Sequence, residues 1–80
     1  MARMRGRVLI VEDAPALAET YAEYLKTENC TVEIAGNGKT ALAVLAATPP
    51  AVLVLDVNLP DMNGIDLLRE VRSRGLPVEV

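Results

Sequence analysis

No histidine occurs in the 80 residues, and cysteine occurs once, as Cys30. A single thiol excludes an internal disulfide and fits a reducing compartment. With no imidazole to activate it, Cys30 reads as a small buried or half-buried side chain. Positive charge is also scarce. Eight Lys and Arg against eleven Asp and Glu leave a formal net charge of −3, so the sequence offers no broad basic surface for nucleic acid. Arg3, Arg5 and Arg7 make a short basic arm before the first strand, and such a run reads as a solvated tail. Long apolar runs are missing too. Val8–Val11 is cut off by Glu12, too early for the core of a signal peptide. No stretch approaches the roughly 20 apolar residues that cross a bilayer. The expected location is the cytoplasm, without membrane contact.

What the chain does have is a hydrophobic share of 51% beside 24% charged residues, the balance of a globular protein. Its length allows one small domain, and a domain of this size buries only about 60% of its unfolded surface. Arg7–Val11 reads as a strand without alternation, buried on both faces. Pro15 stands where a first helical turn tolerates it. Leu17, Ala18, Tyr21, Tyr24 and Leu25 then recur at helical spacing, fading near Glu28 and Asn29. Thr31–Ala35 is a second strand, and 36–38 is a turn. Ala41, Leu42, Leu45 and Ala46 mark the inner face of a second helix, stopped by Pro49 and Pro50. Ala51–Leu55 is a third strand. Ile65, Leu67, Leu68 and Val71 define a third helix, with Gly75 as its cap and Pro77 beyond. Val78–Val80 opens a fourth strand.

Strand and helix alternate three times, which predicts a doubly wound parallel α/β sheet. With the first strand in the middle, winding reverses between the first and third strands. Sites in such sheets lie outside the carboxyl ends of the strands at that reversal. Two apolar strands end in acid there, the first at Glu12 and Asp13 and the third at Asp56. A carboxylate closing so dry a strand is costly unless its charge is used. Three carboxylates in one pocket repel one another, and a hard divalent cation such as Mg²⁺ relieves the repulsion. Mg²⁺ takes one or two carboxylates plus phosphate oxygens, so a phosphoryl group would meet an Asp able to act as nucleophile. The plainer alternative is that Glu12 and Asp13 cap the first helix and Asp56 starts a turn, which would contribute about 0.3–1 kcal/mol each.

The residues around these acids resemble a known family. Val8-Leu-Ile-Val-Glu-Asp13 and Asp56-Val-Asn-Leu-Pro-Asp-Met-Asn-Gly64 look like the receiver domain of bacterial two-component response regulators, and Asn37–Leu42 matches the usual opening of its second helix. The resemblance runs from about Arg7 to Val80. It implies a flavodoxin-like fold, with residues 1–80 as the N-terminal part of the domain, and it makes Asp56 the phosphoacceptor. Asp13 would bind Mg²⁺ directly, Glu12 directly or through water, and Asn58 through its backbone carbonyl. Pro60 and Gly64 would shape the loop, Gly64 through a backbone conformation that other residues avoid. The donor would be a histidine on a sensor kinase or a histidine phosphotransfer protein, since the chain has none of its own. A domain of this kind is a regulatory acceptor and not a turnover enzyme, and it switches a downstream output.

The family places a Thr or Ser and a Lys at the ends of its fourth and fifth strands. The chain ends before both, and Lys26 and Lys39 lie on helices. The expectation is therefore an N-terminal piece of a longer regulator, or a form completed by self-association through an exposed sheet edge. Three other readings compete, and one is a truncated folding or dimerisation unit with no phosphotransfer. Gly38-Lys39-Thr40 opens a helix after a strand, yet a phosphate-binding loop wants glycine at position 33, which is Glu33. Aspartyl-nucleophile phosphohydrolases of the haloacid dehalogenase type want an acid two residues after the nucleophile, which is Asn58 here.

Overall fold

The unbroken apolar run Val8–Val11 needs cover on both faces, and the fold supplies it. The computed structural model of the chain describes residues 6–28, 30–48, 50–76 and 78. Three parallel strands, β1 (Gly6–Val11), β2 (Cys30–Ala35) and β3 (Val52–Leu55), form a sheet in the order β2-β1-β3. Helices α1 (Pro15–Lys26), α2 (Gly38–Ala47) and α3 (Gly64–Ser73) alternate with them. Side chains along β1 divide between the two faces, as a period of two requires. Leu9 and Val11 pack with Ala41 and Leu45 of α2, Leu53 of β3, and Leu67 and Val71 of α3. Val8 and Ile10 face the other way, onto Ala18 and Ala22 of α1.

Caps set the helix limits. The Asn37 side chain accepts the Thr40 N–H at 2.7 Å, and the Asn63 side chain accepts the Ile65 N–H at 2.7 Å. Each satisfies a donor that the first turn leaves unpaired. α1 begins instead with Pro15, with no side-chain cap at Ala14. α3 stops as expected at Gly75, whose φ of 68° suits glycine and whose N–H reaches the Arg72 carbonyl at 3.0 Å.

Three helix stripes are narrower than their spacing implied. On α1, Ala18 and Ala22 meet the sheet and Leu25 is half-buried, while Leu17, Tyr21 and Tyr24 are 42%, 38% and 68% exposed. Ala46 on α2 and Ile65 on α3 are exposed as well. The residues with the right period outnumber those that three strands can cover. Arg7 departs from the solvated-tail expectation: it belongs to β1, pairs with Glu33 and donates to the Thr48 carbonyl at 2.7 Å. Cys30 is half-buried at the start of β2. Arg3, Arg5, Pro49, Pro77 and most of the expected fourth strand lie outside the described residues, while Val78 is buried in the core.

Candidate functional site

Parallel register brings the acids together. Val11 of β1 is level with Ala35 on one side and Leu55 on the other. Pairing runs one residue further, with the Glu12 N–H on the Ala35 carbonyl and the Asp56 N–H on the Val11 carbonyl, each at 3.0 Å. Both strands thus release their acids at one edge of the sheet. Glu12, Asp13 and Asp56 each offer a carboxylate oxygen within 4.8 Å of the others. Glu12 is buried, Asp56 half-buried and Asp13 exposed.

The bonding around these carboxylates leaves capacity for a cation. Glu12 Oε2 accepts the Ala14 N–H at 3.2 Å, and Asp56 Oδ1 accepts the Asn58 N–H at 3.2 Å. None of the ion pairs among the described residues involves the three acids. Two carboxylates about 4 Å apart repel by about 1 kcal/mol in water and about 4 kcal/mol at an effective dielectric near 20. Asp13, being exposed, lies toward the lower figure. Oxygens around an octahedral Mg²⁺ at about 2.1 Å lie up to about 4.2 Å apart. A spread within 4.8 Å needs only a small rotamer change, or a water in one position, to match. An all-oxygen donor set with no cation paired to it among the described residues fits a hard divalent ion. Helix capping accounts for little of the cluster, because only Glu12 bonds near the start of α1 and no acid lies in its first turn.

The loop after Asp56 is drawn tight. The Gly64 N–H donates to the Val57 carbonyl at 2.7 Å, and Asn58 bridges to Asn63. A Cβ on Gly64 would collide with the Asp56 carbonyl oxygen and come within 2.8 Å of the Val57 Cα. The expectation for this glycine is corrected here. Its φ is outside the left-handed region, and the position requires glycine for space. Lys39 is exposed, and the amides at the start of α2 already serve the Asp61 carboxylate, which leaves no cradle there for phosphate. Beside the acids a cleft of about 270 Å³ opens, lined by Leu17, Tyr21, Val54 and Val57 together with Glu12 and Asp56.

Asp61 is the residue of this loop whose partners spacing did not reveal. Its partners are Gly38 and Lys39, 23 and 22 residues away. In the sequence it is one more acid in a loop. Its distance from both strand ends gave no signal.

A parallel α/β sheet with three carboxylates at the carboxyl ends of neighbouring strands suits a divalent cation and the phosphoryl chemistry it supports. The response regulator receiver domain family matches residues 8–80, and the chain belongs to that family. It is 47% identical over 73 residues to the probable transcriptional regulatory protein TcrX of Mycobacterium tuberculosis, covering 89% of this chain and 31% of TcrX. It is 39% identical over 79 residues to the DNA-binding response regulator MtrA of Mycolicibacterium smegmatis, covering 98% of this chain and 35% of MtrA. The chain therefore spans about a third of the length of these curated relatives. Among solved structures, the response regulator TrrA of Thermotoga maritima, in complex with Mg²⁺-BeF, superposes with a TM-score of 0.83 at 30% identity. That match covers 89% of this chain and 61% of TrrA. No helix among the described residues is long and apolar enough to cross a membrane.

Proposed function

We propose that the chain accepts a phosphoryl group on Asp56 and passes the resulting change to an output elsewhere in the regulator. The convergence of Glu12, Asp13 and Asp56 within 4.8 Å, unneutralised by any ion pair among the described residues, carries this reading. Asp13 and Glu12 would hold Mg²⁺ with Asp56, and Asn58 would add its backbone carbonyl. The ion would there supply neutralisation of charge on the transferring oxygens. One Asp56 oxygen is engaged by the Asn58 N–H, leaving the other for attack. It forms an O–P bond while the P–N bond of a phosphohistidine breaks, and the donor imidazole leaves with a proton from solvent. The donor is a sensor histidine kinase or a histidine phosphotransfer protein in the cytoplasm. The chemistry is one event per site and not turnover, and Asn58 in place of a second acid argues against a phosphohydrolase.

Asp56→Asn should abolish phosphate incorporation from a small acyl phosphate donor, read by phosphate-affinity electrophoresis. Labelling that persists in this variant refutes the assignment. Asp13→Ala should weaken Mg²⁺ binding about tenfold or more, and an unchanged titration removes Asp13 from the site. A second copy of the chain is a further partner, supported by exposed Leu17, Tyr21, Tyr24 and Val57 beside β3, an edge strand among the described residues. Sedimentation that stays monomeric at every concentration removes that partner.

A further inference from the structure

The loop that follows Asp56 has a polar tether to another part of the fold. Asp61 Oδ1 accepts the Gly38 N–H at 2.8 Å, and Oδ2 accepts the Lys39 N–H at 2.9 Å. Asn37 serves the next two amides, Thr40 through its side chain and Ala41 through its carbonyl at 3.1 Å. Every donor in the first turn of α2 is thereby satisfied, half of them by a residue from another segment of the chain. The contact is close as well as polar. A Cβ on Gly38 would come within 2.5 Å of the Met62 side chain, so the α2 backbone and the loop meet with no room for a side chain between them.

We propose that Asp61 is a positioning residue for the Asp56 site. It anchors the 57–63 loop on α2 and so holds Asn58 where its backbone serves Asp56 and the cation. The inference rests on the proposed function and adds the element that sets the geometry of the loop. The loop is closed upon itself by the Gly64–Val57 hydrogen bond and the Asn58–Asn63 bridge. A closed loop moves as a unit, so anchoring it at Asp61 fixes Asn58 as well. Asn58 in turn donates to Asp56 Oδ1. Both Asp61 oxygens accept from amides at the positive end of a helix, an arrangement that favours the charged carboxylate. The carboxyl is held below its ordinary value by those two amides, first Gly38 and then Lys39.

A role confined to helix stability predicts that either cap of α2 is as good a target as the other. A positioning role does not. The test compares Asp61→Ala with Asn37→Ala in this chain, using Mg²⁺ titration and metal-free amide hydrogen exchange. Asp61→Ala should weaken Mg²⁺ binding about tenfold, in the range for lost supporting contacts to a metal site, and should speed exchange at the Gly64 amide. Asn37→Ala, which removes a cap of the same helix, should leave the Mg²⁺ affinity within about twofold, below 0.5 kcal/mol. Asp61→Asn keeps one acceptor oxygen, should fall between wild type and Asp61→Ala, and serves if the alanine variant does not fold. Equal loss of Mg²⁺ affinity in Asp61→Ala and Asn37→Ala overturns the proposal, as does an unchanged Gly64 exchange rate in Asp61→Ala. A wild-type chain that binds no Mg²⁺ overturns the metal reading of the acids and Asp61's service to it. Faster metal-free exchange in Asp61→Ala then shows that the failure lies in that reading and not in the tether.

Discussion

The two faces of the sheet are finished differently. On the α2 and α3 side, Leu45, Leu67 and Val71 are fully buried over Leu9 and Leu53, and the loop after Asp56 is tethered to this layer through Asp61. On the α1 side, small alanines make the contact, Tyr24 is exposed, and the partly exposed Leu17 and Tyr21 line a cleft that reaches the acids. One side of the acid edge is therefore braced by packing and hydrogen bonds, while the other is open. A phosphoacceptor needs both, a fixed nucleophile and a path by which a donor reaches it.

The difference predicts unequal costs for substitutions on the two sides. Leu45→Ala removes a fully buried side chain from the closed face and should destabilise by about 2–5 kcal/mol. In so small a domain that approaches the whole margin of stability, and a denaturant melt should show most of the cooperative transition lost. Gly64→Ala drives a methyl into the Asp56 carbonyl and the Val57 backbone. It should cost about 1–3 kcal/mol and lower phosphorylation by displacing Asp56, read by melting and by phosphate incorporation on the same sample.

Acid should act locally. Asp61 has a lowered folded-state value, so its contribution is complete above the ordinary value of 3.8 and is lost as pH falls through the lowered one. The amide shifts of Gly38 and Lys39 should hold steady from neutral pH down to about 4 and move only below it. Tyr24→Ser on the open face should change stability by no more than about 0.5 kcal/mol. A large loss there would mean that α1 is covered in solution, and the contrast between the faces would disappear.

Much of the site could be seen before any coordinates. Val8–Val11 and Val52–Leu55 are runs apolar enough to demand burial, and the acids that close them fall at one edge because parallel strands share a direction. The stop of α3 at Gly75 follows from local backbone chemistry, whereas the Asn63 cap at its start emerged only in the fold. Other features resisted the same reasoning. Tyr24 has a helical period identical to that of a core residue and is exposed, because period reports direction and not whether a neighbour exists. Gly64 was expected to supply an unusual φ and instead supplies space.

Sequence alone determined the alternation of strands and helices, the doubly wound parallel sheet, and the acids placed at the carboxyl ends of its strands. These depend on short-range periodicity, burial and chain direction, all of which are written along the chain. Tertiary structure decided that Asp61 would close the amide end of α2, that Gly64 would lie against the Asp56 carbonyl, and that three of the five α1 stripe residues would stay exposed. Those outcomes depend on the separation of groups far apart in sequence, which spacing does not encode and only packing sets.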